Sequence, residues 1–437
     1  METASTRPAA QRPPAEPRRP PTGDLGLAEV VSRALADNPL IGLQNARAAE
    51  AMAGVGVAES SLYPQMEVRG GAGGTMIGNY QASSGVGYWA SQNRYLAGRE
   101  DLGLSGRQLI FDFGATRAAV ARAKSTYDSE LFKVFDQAED IAQKVTQAYL
   151  KVVEQRGLLR EADDNATALQ EIFRLVEENE RNGHGTVADV KRVRARLLDA
   201  QTIKSDAEAE LRNAADRFER LARVQPNGLR ALPSLSWAIP RSTGDALALV
   251  AANNPRIAAL DAAVQANRHE YESQRANMGP RVQLEVDVSG KDFRYNEPRT
   301  EVDMRAMVAA RYKLFDGGQQ RSELEQVGAR LGQAEMRYRN DRDEVEADVR
   351  QYYQSLQAAR AKSDKLREAA ADAEKARQLY DEQFKGGKRT LLELLEVQSA
   401  HYNARRAEIT NQFDELRAII GILRAVGNLT AAIVKRR

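Results

Sequence analysis

The chain has 437 residues and a formal net charge of +2, with 63 Lys and Arg against 61 Asp and Glu. That balance leaves no basic footprint for nucleic acid. The absence of cysteine excludes thiolate metal sites, a disulfide framework and a lipid-modified N-terminal cysteine. The best apolar stretch, Ile419 to Val426, is interrupted by Arg424, so nothing approaches the roughly 18–20 apolar residues of a membrane helix.

Residues 1–24 (METASTRPAAQRPPAEPRRPPTGD) are Pro-rich and lack the apolar core of a signal peptide. They read as a flexible lead-in. If the protein is exported, its signal peptide has been removed and Met1 is an added start. The three histidines, His184, His269 and His401, have no ligand-type spacing, so no metal or other cofactor is expected.

From residue 25 onward the chain is written twice. Leu35-Ala-Asp-Asn-Pro39 echoes the stretch from Val250 to Pro255, and Tyr63-Pro64 echoes Gly279-Pro280, at an offset of 216. Phe111-Asp-Phe-Gly114 then echoes Phe315-Asp-Gly-Gly318 at an offset of 204, and that register holds through Arg117/Arg321, Tyr149/Tyr353, Leu175/Leu379, Gly183/Gly387, Thr186/Thr390 and Asp189/Glu393. The first repeat covers 25–223 and the second 243–429, joined by a Pro-containing linker over 224–242. Residues 430–437 form a tail.

Each repeat predicts the order short helix, helix, strand, loop, strand, very long helix, helix. Residues 281–290 and 301–314 alternate apolar and polar, with Val302, Met304, Ala306, Val308, Ala310, Tyr312 and Leu314 on one face and Glu301, Asp303, Arg305, Arg311 and Lys313 on the other. The first-repeat strands, about 65–74 and 100–111, keep the same parity through Met66, Val68, Ala72, Leu102, Leu104 and Ile110. Ten-residue segments of this kind fit any half-buried sheet and also fit a transmembrane barrel. Four strands are too few to close one, so closure requires copies of the chain.

The helices carry a heptad. Val120, Tyr127, Val134, Ile141 and Ala148 step by seven, with Leu131, Ala138, Val145 and Val152 out of phase by four; Leu324, Leu331, Tyr338, Val345 and Tyr352 repeat the pattern. Such a repeat favours left-handed supercoiling. A helix from Ala115 to about Asn182 would reach ~100 Å at about 1.5 Å per residue. The helices over about 39–62 and 187–223 sum to nearly the same length, so they can stack end to end beside it.

With these marks the sequence resembles the TolC family of outer-membrane efflux and secretion ducts, from about Leu25 to Leu429. The resemblance is carried by the repeat, the Asn-Pro starts at Asn38-Pro39 and Asn254-Pro255, and two hairpin tips over 182–190 and 385–396. The second tip, Gly387-Lys-Arg-Thr-Leu-Leu-Glu-Leu-Leu-Glu396, is similar to the family's Gly-Thr-Arg-Thr-x-x-Asp-Val-Leu-Asp. The first, Gly183-His-Gly-Thr-Val-Ala-Asp-Val190, resembles Gly-Leu-x-x-x-x-Asp-Val.

The resemblance implies an α+β membrane protein, a homotrimer whose twelve strands form one outer-membrane β-barrel continued by a periplasmic α-helical barrel. It also implies a Gram-negative outer membrane and its lipid, a periplasmic adaptor, an inner-membrane pump, and a passive channel rather than an enzyme. The lack of cysteine places the chain among the non-lipidated members.

By the family's pattern Asp189 and Arg389 form a salt bridge that keeps the tip shut, while Glu393 and Glu396 form acidic rings that tune ion flow. Capping explains part of the same residues. Thr186 and Thr390 are good N-caps, and Thr390-x-x-Glu393 is a capping box. Asn182, Gly183, His184, Gly185, Thr186, Gly386, Gly387, Lys388 and Thr390 would face the adaptor.

The run Gly386-Gly-Lys-Arg-Thr390 is not a phosphate loop, because it follows a helix and lacks the earlier glycine. The glycines from Gly70 to Gly74 are expected at a strand end and loop. Tyr63, Tyr88, Trp89, Tyr95 and Phe293 are candidates for an aromatic girdle.

Export of a substrate handed over by a pump is the leading function. A soluble coiled-coil scaffold has no use for paired strands with apolar faces, and no catalytic constellation supports an enzyme. Multidrug-efflux members of the family carry small apolar residues around the tip glycines. Here Asn182 and His184 flank Gly183, and Gly386 and Lys388 flank Gly387. Burying such groups unpaired is costly, so type I secretion of a polypeptide, with an ABC-type pump, is favoured over small-molecule efflux.

Overall fold

The computed structural model describes residues 26–79, 92–226, 228–230, 235–294 and 299–434. The lead-in, Tyr88 and Trp89 lie outside them, as do the side chains of Tyr95 and Phe293. Along the chain run α1 (Leu27–Ala36), α2 (Pro39–Ser60), β1 (Gln65–Asn79), β2 (Gln92–Phe111), α3 (Ala115–Arg181) and α4 (Val187–Ala222). The order then repeats as α5 (Thr243–Asn253), α6 (Pro255–Asn277), β3 (Arg281–Arg294), β4 (Arg299–Arg311), α7 (Gln319–Lys385) and α8 (Leu391–Ala425), followed by α9 (Leu429–Val434). Both long helices, α3 and α7, have 67 residues without a break. Among the described residues no helix is long and apolar enough to cross a membrane.

The chain divides into two compact units that cut across both repeats. One holds Pro39–Gln137 and Asn254–Val345. Its centre is a four-stranded antiparallel sheet in the order β1-β2-β3-β4. The register carries Val68, Leu104, Val288 and Met304 across all four strands, so one face is apolar from edge to edge. The opposite face is charged and pairs Arg69 with Glu67, Arg99 with Asp101, Arg305 with Asp287 and Arg311 with Glu285.

Strands β1 and β2 extend well past the alternating segments, through the glycines from Gly70 to Gly74 and the stretch from Gln92. Ladder bonds are made by backbone, so pairing continues where side-chain alternation has stopped. The expected loop at those glycines is therefore strand. Strand β4 ends at Arg311, opposite Arg281, because Pro280 precedes the start of its partner.

Helices α2 and α6 lie in this unit. Asn254 caps α6 by accepting from Ile257 N at 3.1 Å. Arg256 reaches α7, at 3.0 Å from both Asp341 and Glu344, and Ser129 Oγ donates to Ala259 O at 2.8 Å. Of the heptad residues on α3, Val120, Ile141, Val145, Ala148 and Val152 are buried; Tyr127 and Val134 are half-buried.

The other unit comprises the chain up to Asn38, Ala138–Asn253, and Glu346 onward. Here α1 packs on α4 and α9, with Val30, Val31, Ile419, Ile420, Ile422, Leu423 and Leu429 fully buried. Part of the expected tail is thus helix α9. Its first amides are held by Glu139 of α3, whose carboxylate accepts from Leu429 N at 3.1 Å and Thr430 N at 3.0 Å. Burial pushes the Glu139 carboxyl above its ordinary range.

The linker is packed by equivalent tyrosines of the two repeats. Tyr149 donates to Arg230 O at 2.5 Å, and Tyr353 donates to Pro240 O at 2.8 Å.

Candidate functional site at the two hairpin tips

Each long helix ends in the same turn. Gly183 and Gly387 adopt φ of +76° and +70°, a left-handed conformation open to glycine and disfavoured for residues with a Cβ. Gly183 N donates to Glu180 O at 3.0 Å and His184 N to Asn179 O at 2.8 Å; Gly387 N donates to Phe384 O at 3.0 Å and Lys388 N to Gln383 O at 2.8 Å. These paired bonds form a Schellman cap, which satisfies carbonyls that the helix end would otherwise leave open. The return helices α4 and α8 start at once, with Thr186 and Thr390 as N-caps.

Both tips stand on one apolar cluster. Leu169, Ile172, Val176, Val193, Leu197, Leu391, Leu394 and Leu395 are buried in it, with Phe173, Tyr380 and Phe384 packed alongside. Burying each such leucine contributes about 1.5–3 kcal/mol, so the hairpins are anchored while the turns stay exposed. Residues 182–188 and 385–390 are all exposed, which covers Asn182, Gly183, His184, Gly185, Thr186, Gly386, Gly387, Lys388, Arg389 and Thr390; Asp189 and Glu393 are half-buried.

Within one chain Asp189 and Arg389 are not joined; each finds a partner in its own tip. The Thr186 hydroxyl donates to Asp189 Oδ2 at 2.7 Å, and Asp189 Oδ1 lies 3.7 Å from Arg192. Arg389 donates to Glu393 Oε1 at 2.8 Å and to Gln383 Oε1 at 3.0 Å, and its guanidinium lies 4.6 Å from the centre of the Tyr380 ring. Glu393 completes the capping box: its Oε2 accepts from Thr390 N at 2.9 Å, while Glu393 N donates to Thr390 Oγ1 at 3.4 Å. Hydrogen bonds from Thr390, and then from Arg389, hold the Glu393 carboxyl below its ordinary range. Glu396 is exposed on the next turn of α8 and has no ion pair among the described residues.

Sequence reasoning missed Arg192, Gln383 and Tyr380. Arg192 was legible in principle, since the offset of 204 sets it against Glu396. Gln383 and Tyr380 reach Arg389 only because the turn folds back on α7, a contact with no sequence signature.

A further polar cluster lines a cleft of about 560 Å³, whose lining includes Glu161, Glu374, Gln398, His401 and Arg405. His401 Nε2 lies 3.0 Å from Glu374 Oε2. Arg377 chiefly holds the Glu374 carboxyl down to about 2, while burial lowers the His401 imidazole. No three metal-ligating side chains gather among the described residues.

The fold and the repeat have counterparts among known proteins. The chain is 24% identical over 331 residues to the outer membrane efflux protein BepC of Brucella suis, covering 76% of this chain and 72% of that protein. It is 26% identical to the alkaline protease secretion protein AprF of Pseudomonas aeruginosa, covering 72% and 67%. The structure of the outer-membrane channel OprN superposes with a TM-score of 0.82 at 20% identity, covering 92% of this chain and 90% of that one. The sequence model described as "Outer membrane efflux protein" matches twice, over residues 30–222 and 246–428, once per repeat. The chain therefore belongs to the outer membrane efflux protein family, whose fold is that of a passive channel.

Proposed function

We propose that three copies of this chain form the outer-membrane exit duct of a tripartite export machine. Four strands per copy close a twelve-stranded barrel, and the helices extend into the periplasm of a Gram-negative cell. The apolar face supports this reading. Its rows from Leu102 to Ile110 cover about 27 Å of strand at about 3.4 Å per residue, or about 20 Å of depth after a tilt of roughly 40°, most of the ~25 Å apolar band of a membrane barrel. The tips face a periplasmic adaptor coupled to an inner-membrane pump. Asp189, Arg389, Glu393 and Glu396 act as the gate, with Asp189 and Arg389 meeting between neighbouring copies.

Within this reading the cargo is a polypeptide delivered by an ABC-type pump, as in type I secretion. The observation that carries it is the polarity of the tips: exposed Asn182 and His184 around one glycine, Gly386 and Lys388 around the other. An adaptor with apolar tip loops would have to bury these groups unpaired. The efflux alternative draws on the likeness to BepC. Deleting the gene decides between them. Loss of a large secreted polypeptide with drug tolerance intact is expected; raised drug sensitivity with an unchanged set of secreted proteins makes the duct an efflux duct.

A further inference from the structure

The two repeats meet inside the chain where β2 gives way to α3 and α6 gives way to β3. There the ring of Phe113 lies over Gly279: a Cβ on residue 279 would stand 2.9 Å from Phe113 Cδ2. The joint is thus built from a large residue after β2 and an absent side chain before β3. Phe113 holds φ of +55° to do this, a left-handed conformation that is unfavourable for a residue with a Cβ and free for glycine. Its ring, not its backbone, explains why phenylalanine stands there.

The repeat places the same two turns at the outer edges of the sheet. Gly317 and Gly318 follow β4 with φ of +66° and +90°, against +55° and +88° for Phe113 and Gly114. Asp316 accepts from Gly318 N at 3.0 Å and Gln320 N at 3.1 Å, as Asp112 accepts from Gly114 N at 3.1 Å and Thr116 N at 2.8 Å. Before β1, Tyr63 N donates to Ser60 O at 3.1 Å, as Gly279 N donates to Ala276 O at 3.0 Å before β3. The backbones match while the side chains are exchanged. Where the inner joint has Phe113 and Gly279, the outer edges carry Gly317 and Tyr63. Tyr63 is 66% exposed, and a Cβ on Gly317 would meet nothing within 4 Å.

From this exchange we infer that Tyr63 of one copy packs over Gly317 of the next, so that the joint between copies is the inner joint with its aromatic supplied from the opposite side. The inference rests on the ring of copies proposed above and adds the contact that sets its register. One large and one empty position meet at every joint, so total side-chain volume is kept, the kind of exchange that packed interfaces tolerate. Two first-repeat edges brought together would set Tyr63 against Tyr63, and two second-repeat edges would set Gly317 against Gly317 and leave a void. The swap therefore favours head-to-tail closure.

The absence of cysteine makes the test direct. In a Tyr63→Cys, Gly317→Cys variant the only thiols are the two at the inferred contact, and Phe113→Cys with Gly279→Cys is the control for the inner joint. A short bis-maleimide should link the first variant into covalent trimers on a denaturing gel and should leave the control monomeric. Separately, Tyr63→Gly and Gly317→Phe should each lower the melting temperature of the trimer by a few degrees, and the two together should recover most of the loss. The inference is overturned if native mass spectrometry shows intact trimers of the first variant that the linker leaves as monomers. If the unsubstituted protein in detergent shows no trimer, the ring itself fails, a result distinct from the failure of this contact.

Discussion

The two hairpin tips share a backbone and differ in where they keep their charges. Both use a left-handed glycine, the same two cap bonds and a threonine N-cap. At the first tip Gly185 leaves no cation before the acid, and Arg192 stands three residues after Asp189 at 3.7 Å. At the second, Arg389 precedes the acid and binds Glu393 at 2.8 Å, while Glu396 occupies the place of Arg192. The acid of the first tip is thus held by the Thr186 hydroxyl at 2.7 Å and has only a long ion pair. The second tip is locked by its own residues and exposes a spare carboxylate. Repeat symmetry fixes the turn, and broken symmetry gives each tip its own arrangement of charge.

The sharpest way to break this comparison acts on ion flow. Replacing Glu393 and Glu396 together by alanine removes two carboxylates per copy, all from second tips. Block of single-channel current by multivalent cations in planar bilayers should weaken by about tenfold, within the range by which charged clefts concentrate counter-ions. Equal block before and after would confine both residues to structural roles. Arg389→Ser should raise the conductance of the closed duct, because it removes the contact proposed with Asp189 of a neighbouring copy, whereas Arg192→Ser should change it less. A reversal of that order would move the lock to the first tip.

Stability tests the shared part. Valine at Gly387 or Gly183 should cost about 1–2 kcal/mol at either tip, since both glycines hold left-handed φ; thermal unfolding measures it. Thr390→Ala and Thr186→Ala should each cost about 1 kcal/mol, because each hydroxyl accepts from the amide three residues on and donates to the carboxylate there. The smallest effect is a pH dependence. The folded-state pKa of Glu393 is lowered, so its contribution is complete above the ordinary value of 4.5 and is lost as pH falls through the lowered one. Hydrogen exchange at the second tip should accelerate in that acid range, and Glu393→Gln should remove the effect.

Much of this arrangement was legible in the sequence because it is periodic or local. The offsets of 216 and 204 announced two copies of one unit. Alternation over 281–290 and 301–314 set strand parity, since a side chain's face depends only on its place along the strand. Thr390 and Glu393 announced a capping box three residues apart, a spacing the helix geometry imposes. The exchange of Tyr63-Pro64 for Gly279-Pro280 was visible as text, but its meaning was not.

Only the tertiary structure decided what depends on residues far apart in the chain. The sheet runs on through the glycines from Gly70 to Gly74 because its backbone is paired, whatever the side chains do. Glu139 was an ordinary acid in a heptad-bearing helix until the fold brought it to amides 290 residues away, where it caps α9. By sequence Arg389 was paired with Asp189. Within the chain it binds Glu393, because one helical turn puts that carboxylate within reach and the fold of the turn adds Gln383 and Tyr380. Short-range periodicity is written in residue types; the choice among distant partners is made by distance, which only the folded chain supplies.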